Sequence, residues 1–300
     1  MDRCNFIFLD HRSDNFIIEK LLFYRRMFPG RLFVLLTNSR LTARLPDELK
    51  DVININVKRS YNKMIIGGYA AAALCLVPAI VRTIVDHCDN GLPNIIIECD
   101  LEICRYDIEE RVHDLLSTRT KLPYGACYLT AAPPMKTLFH GNSSEICPAH
   151  KKAFKTDYPI VASTLAGSVM LRAGAQAILD WFAKPEVQDY YNLLCRLAIE
   201  MEQGKREIFY APMYFTDYFF PSACILSGLA LAQPINKILP RNEAGETVDA
   251  NSAEDVISML NDSRFYVIHH LAKSRERFPG GIELVDTVRA KLEREVQNGC

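Results

Sequence analysis

Asn94-Ile95-Ile96-Ile97-Glu98-Cys99-Asp100-Leu101-Glu102 is the stretch on which the fold turns. Three successive isoleucines are apolar and β-branched, which suits a strand covered on both faces better than one that alternates between core and water. The run then passes straight into acids at every second position. Alternate residues of an extended chain share a face, so Glu98, Asp100 and Glu102 are expected to point together from the strand's carboxyl end and to hold one divalent cation through oxygen ligands. The plainer alternative is that the acids merely end the strand and cap a helix starting near Asp107. Against it stands the cost of desolvating charge beside a buried strand.

The same pattern recurs upstream. Asn5-Phe6-Ile7-Phe8-Leu9 is a continuous apolar run ending in Asp10-His11-Arg12-Ser13-Asp14, and Arg31 to Leu36 is another, ending in Thr37-Asn38-Ser39. Between them Phe16, Ile17, Lys20, Leu21, Tyr24 and Phe28 fall at helical spacings until Pro29-Gly30 stops them. Val52 to Val57 alternates as a strand near a sheet edge does, and Met64 to His87 reads as a long helix that Pro78 kinks or splits. Strand, helix and strand in repeated order predict an α/β fold with a mostly parallel central sheet and helices on both faces.

The second half is less regular. Tyr124 to Ala131 reads as a strand, Pro133 to Tyr158 as a loop and Ile160 to Ser163 as a further strand. Helices are expected at Ala173 to Phe182, Pro185 to Gln203, Asp217 to Leu231 and Ile282 to Gln297, with a short one opening at Asp255 and a strand from Phe265 to Ile268. No repeat, low-complexity segment or linker divides the chain.

Bulk properties exclude several classes. With 49% hydrophobic and 24% charged residues, the 300-residue chain has the makings of a globular core. Lys plus Arg number 35 against 36 Asp plus Glu, so no long-range field draws in nucleic acid. The ten cysteines are scattered, several within apolar runs such as Ala73-Leu74-Cys75-Leu76, as reduced buried thiols are. Met1-Asp2-Arg3 precedes a strand-like run rather than the apolar core of a signal peptide, and the apolar stretch from Met64 to Val81 holds Gly67, Gly68 and Pro78, which favours a buried helix over a membrane span. A cytoplasmic protein with no transmembrane segment is the expectation. Phosphate-binding P-loop, dinucleotide, zincin and nucleophile-elbow motifs are all absent.

The order of these features resembles that of the GT-A glycosyltransferases, in which a hydrophobic strand delivers an Asp-x-Asp pair to a metal-bound sugar nucleotide; Ile95 to Glu102 is the matching segment. The resemblance implies a single GT-A, Rossmann-like domain over 1–300, with 1–125 as the nucleotide-sugar half and 126–300 as the acceptor-binding and catalytic half. Its acidic pair would be Glu98 with Asp100, or Asp100 with Glu102, holding Mn²⁺ or Mg²⁺. By the same resemblance Asp10 or His11 would meet the nucleoside and Arg12 the phosphates, with Asn38 and Lys63 lining the crevice. Gly167-Ser168 resembles a turn lying under the sugar or acceptor.

Tyr214-Phe215-Thr216-Asp217-Tyr218-Phe219-Phe220-Pro221 resembles the Glu-x-Phe-Phe neighbourhood of inverting transferases, which makes Asp217 the implied catalytic base. His269 or His270 would complete the metal shell, and Lys273 would neutralise the departing diphosphate. Each motif has a plain structural alternative: an ordinary polar loop, a tight turn at Gly167, a helix cap at Asp217, surface histidines near the end. The implied reaction is a metal-assisted, inverting transfer of sugar from a UDP- or GDP-sugar donor to a hydroxyl of a glycan or protein acceptor. A metal-dependent phosphohydrolase and a non-catalytic glycan- or protein-binding module are the competing readings.

Overall fold

The computed structural model describes residues 3–10, 16–37, 45–57, 60–61, 64–65, 68–88, 90–99, 101–118, 124–125, 129–131, 143–157, 161–163, 165–206, 215–226, 231–232, 236–238, 260–262, 265–269 and 281–299. In the first part of the chain β1 (Asn5–Asp10), α1 (Phe16–Met27), β2 (Phe33–Thr37) and β3 (Ile53–Asn56) precede a small hairpin of β4 (Ser60–Tyr61) and β5 (Met64–Ile65). Then come α2 (Gly68–His87), β6 (Asn94–Glu98), β7 (Leu101–Ile103) and α3 (Ile108–Thr118). The rest comprises β8 (Tyr124–Gly125), β9 (Leu129–Ala131), α4 (Ser143–Phe154), β10 (Val161–Ser163), β11 (Val169–Met170), α5 (Arg172–Phe182), α6 (Pro185–Glu202), α7 (Phe215–Leu226), β12 (Leu231–Ala232), β13 (Asn236–Ile238), β14 (Phe265–His269) and α8 (Gly281–Gly299).

The central sheet has seven strands in the order β12-β8-β11-β6-β1-β2-β3. β3, β2, β1 and β6 are mutually parallel, β12 is parallel to β8, and β11 runs antiparallel to both of its neighbours. The apolar runs are continuous because both faces are covered. Ile7, Leu9, Val34, Leu36 and Ile96 pack into the core that holds α2, whereas Phe6, Phe8, Phe33, Leu35, Ile95 and Ile97 pack into the one that holds α1. Helices α4 to α7 join the α2 side; α3, α8 and the three-stranded sheet β13-β14-β7 join the other. The α/β, Rossmann-like architecture expected from the alternation is thus the observed one.

Several boundaries depart from expectation for local reasons. The segment from Pro133 to Tyr158, read as a loop, contains α4. Its buried Ile146, His150, Ala153 and Phe154 recur at helical spacing, and the helix runs through Pro148, which has no amide hydrogen to give the carbonyl of Ser144. The helix expected from Met64 begins at Gly68, because Met64–Ile65 pairs with Ser60–Tyr61. Tyr124 to Ala131 splits into β8 and β9, which belong to different sheets. Of the short helix expected over Asp255 to Leu260, residues 255–259 lie outside the described ones and Leu260 is helical.

α2 runs through Pro78 as one element. The proline has no amide hydrogen to give the carbonyl of Leu74 one turn earlier, and the Tyr191 hydroxyl of α6 donates to that carbonyl at 3.1 Å. Burial pushes the Tyr191 phenol far above its ordinary range, so it stays a donor. Tyr191→Phe is therefore expected to lower stability by about 1–3 kcal/mol, the usual cost of stranding a buried acceptor, as read from the urea midpoint. An unchanged midpoint would show that the helix satisfies the carbonyl itself.

His150 is fully buried, stacked on Phe154 with ring centroids 4.4 Å apart and facing Tyr190 edge-on. Burial pulls its imidazole down from 6.5 to about 4, although a contact between Nδ1 and the Thr156 carbonyl and the nearby Asp157 oppose this. The fold keeps the ring neutral while the unfolded chain takes up a proton, so stability is full above about pH 6.5 and falls as pH drops towards 4. The loss over that window should total about 3 kcal/mol, since each tenfold difference in proton affinity between the folded and unfolded chain corresponds to about 1.4 kcal/mol. His150→Gln should flatten urea midpoints between pH 7 and pH 4; an equally steep profile would assign the acid lability to other groups.

Candidate active site

β1 leads through α1 to β2 and on to β3 in one direction along the sheet, whereas the chain returns across the sheet to place β6 on the other side of β1. The helices of the two connections lie on opposite faces. The junction between β1 and β6 is therefore a switch point, and crevices outside the carboxyl ends of strands at such points are the ligand sites of open α/β sheets. Two acids end these strands. Leu9 is in register with Glu98, and Asp10 lies one step beyond, in register with Thr37 of β2, whose hydroxyl donates to Asp10 Oδ2 at 3.2 Å. Asp10 is buried and Glu98 partly exposed. Strand alternation gives Asp10 the α1 face with Phe8 and Glu98 the α2 face with Ile96, so the two flank the exit instead of converging on one point.

The expectation that Glu98, Asp100 and Glu102 project together from one strand is corrected by the structure. β6 stops at Glu98, and the chain resumes as β7 in another sheet, antiparallel to β14, with Glu102 opposite Ile268. Glu102 is 1% exposed and its oxygens are already committed. Lys20 approaches Oε1 at 3.3 Å and Arg289 the same atom at 3.2 Å, while the Tyr24 hydroxyl donates to Oε2 at 2.6 Å and accepts from the Ile103 amide at 2.8 Å. Burial disfavours the charged carboxylate, but Lys20, Arg289 and Tyr24 outweigh it and hold Glu102 below the usual carboxylate range. Glu102 is a buried counter-ion, not a metal ligand at the strand exit.

Sequence reasoning missed Lys20, although its signal was visible: a lysine on the apolar stripe of α1, four residues from Phe16 and four from Tyr24. Its ammonium is fully buried and donates to the carbonyls of Glu98 at 3.1 Å and Cys99 at 3.2 Å, and to that of Leu101. Burial pulls its pKa down, with Glu102 opposing.

Gly167 and Ser168 are drawn into the sheet. Gly167, at φ 76°, donates its amide to the Ile96 carbonyl at 2.7 Å, and the Ile96 amide donates to the Ser168 carbonyl at 2.8 Å, which seats β11 against β6. Ser168 is fully buried, so the pair has a framework role in the sheet. Asp217 lies in the first turn of α7 and His269 ends β14 opposite Leu101; for both, the backbone position alone is described. His11, Arg12, Asn38, Lys63, Asp100, His270 and Lys273 lie outside the described residues.

Among the described residues no group of three His, Cys, Asp or Glu side chains is placed to hold a metal ion. Glu98 remains at the exit of β6, and the sequence carries a second carboxylate, Asp100, two positions further on and outside the described residues. Such a set fits Mg²⁺ or Mn²⁺, which bind through one or two carboxylates and leave other positions to water and phosphate oxygens. Two grooves elsewhere, about 470 Å³ between α1 and α8 and about 320 Å³ between β3 and α2, do not include Asp10 or Glu98. The described cysteines are all free thiols, and among the described residues no helix is long and apolar enough to cross a membrane.

No family model and no curated protein sequence matches the chain. Among solved structures, the crystal structure of 4-diphosphocytidyl-2C-methyl-D-erythritol synthase aligns over 87% of this chain and 100% of that one, at 12% identity and a TM-score of 0.32. A superposition that loose carries no functional argument.

Proposed function

We propose that the chain is an enzyme acting on a nucleotide-activated sugar, and specifically a glycosyltransferase that moves the sugar from a UDP- or GDP-sugar to the hydroxyl of a glycan or protein acceptor. The supporting observation is the coincidence of the β1–β6 switch point with acids ending both strands. Asp10, fixed by Thr37, is suited to accept hydrogen bonds from a nucleoside hydroxyl, and Arg12 in the following loop to meet a phosphate. Glu98 and Asp100 would hold Mn²⁺ or Mg²⁺. Bound there, the cation neutralises charge on the leaving diphosphate.

Asp217 is the proposed base, taking the proton of the acceptor hydroxyl as its oxygen attacks the sugar carbon opposite the diphosphate. His269 or His270 would add a further metal ligand and Lys273 a further charge on the leaving group. In this reading Glu102 and Ser168 serve the framework alone.

The test is product analysis with UDP- and GDP-sugars, Mn²⁺ and a mixed glycan acceptor pool. Labelled sugar joined to acceptor supports the transferase. Free sugar or phosphate with no transfer would replace it with a phosphohydrolase, and nucleotide binding without turnover would replace it with a binding module. Asp217→Asn should keep donor binding and lose about 10²- to 10⁴-fold in transfer, the span expected when a general base is removed; wild-type turnover in this variant would take Asp217 out of the chemistry.

A further inference from the structure

Lys20 brings three N–H bonds to a place where the backbone changes sheets. Between Glu98, the last residue of β6, and Leu101, the first of β7, the chain leaves the central sheet for the three-stranded one. The carbonyls of Glu98, Cys99 and Leu101 nevertheless converge on one atom, Lys20 Nζ, with Glu102 Oε1 3.3 Å away on the same ammonium. An ammonium offers three donors that rotate freely on a flexible stem, whereas a guanidinium offers a rigid planar fork. Three converging carbonyls therefore match a lysine and not an arginine. Each, if stranded in the interior, would cost about 1–3 kcal/mol, so the turn has reason to stay wrapped around the cation.

We infer that Lys20 is a positioning residue: its ammonium holds the carbonyls of Glu98, Cys99 and Leu101 and so fixes how Glu98 is presented at the exit of β6, where the proposed metal site pairs it with Asp100. The inference rests on the proposed metal site at those two acids. Lys20 reaches the turn from α1, the helix that directly follows β1, so one helix links the exits of both strands at the switch point. Glu102 anchors the ammonium from behind, and Tyr24 and Arg289 hold Glu102.

The test uses Mn²⁺ alone as probe, by calorimetric titration of the full chain, with amide exchange of residues 99–101 followed in parallel. Lys20→Met combined with Glu102→Gln removes the clamp together with its counter-ion, leaves Arg289 and Tyr24 a neutral acceptor, and is the principal variant. Lys20→Arg keeps a positive charge against Glu102 but not the three-carbonyl geometry. Both should bind Mn²⁺ about 10- to 100-fold more weakly, the range for losing an interaction that orients a metal ligand, with faster exchange in the turn. Tyr191→Phe, destabilised at a remote site, should bind Mn²⁺ as the wild type does, which separates positioning from general loss of stability. Wild-type affinity in either folded Lys20 variant would overturn the inference while leaving the metal site standing. Absence of Mn²⁺ binding by the wild type would remove the metal site itself and this role with it.

Discussion

Asp100→Ala is expected to reduce sugar transfer by about 10³-fold, the scale of losing one preorganised charge-stabilising contact to a transition state, while the protein folds as before. Asp100 belongs to both acid pairs expected in the segment from Glu98 to Glu102, and with Glu102 withdrawn into the interior its proposed partner is Glu98. A diphosphate leaving group develops charge that neither Asp10 nor Glu98 can offset, being acids themselves. In the proposed reaction a cation held by Glu98 and Asp100 would do so, and one carboxylate alone would hold it poorly. Steady-state transfer with saturating Mn²⁺ checks this. Asp100→Ala with wild-type kcat and KM would remove this residue from the reaction, whatever else binds nearby.

Glu102→Ala should act on stability instead, lowering it by about 3–5 kcal/mol, because removing one partner of a buried ion pair leaves the other uncompensated. Two cations depend on this carboxylate: Lys20, fully buried, and Arg289, whose side chain is 14% exposed. Tyr24 loses its acceptor at the same time. Since the folded carboxylate is held below its ordinary pKa of 4.5, its stabilising effect is present above that value and fades as pH falls through the lowered one. Glu102→Ala should accordingly show its deficit at pH 7 and converge on the wild type in strong acid. Chemical denaturation at both pH values measures it, and a deficit below about 1 kcal/mol at pH 7 would mean that the network contributes like an exposed pair.

The layers of the fold were legible because two periods coincided with two physical demands. Phe6 to Leu9 and Ile95 to Ile97 are unbroken apolar runs, which only a strand covered on both faces requires, and α1 announced itself by its stripe from Phe16 to Phe28. What failed was continuity. Nothing in Glu98-Cys99-Asp100-Leu101-Glu102 says that the backbone abandons one sheet for another after Glu98, because the alternation that would put the acids on one face holds only while the strand lasts. The carbonyls at the change of sheet bond to Lys20, 78 residues away from Glu98 along the chain. The helix α4 was hidden by prolines and glycine in its neighbourhood, whereas its buried face became plain only when Trp181, Tyr190 and Tyr218 were seen to pack with Phe154. Gly167 was legible as a turn, as its positive φ bears out; its bond to the middle of β6 was not.

The site was legible in part for the same reason. Strand ends can be located from the run that precedes them, so the placement of Asp10 and Glu98 at the ends of β1 and β6 was legible; a buried counter-ion such as Glu102 looks identical in sequence to an exposed ligand. A lysine on an apolar stripe was the one sign that an acid nearby had to be buried with it.

The most direct measurement is the anomalous scattering of Mn²⁺ in crystals grown with Mn²⁺ and UDP. The expected result is a single strong peak beside Glu98 at the carboxyl end of β6, bridged to diphosphate density lying across the end of β1. A nucleotide seated elsewhere on the protein, or Mn²⁺ bound away from Glu98, would contradict the assignment of this crevice.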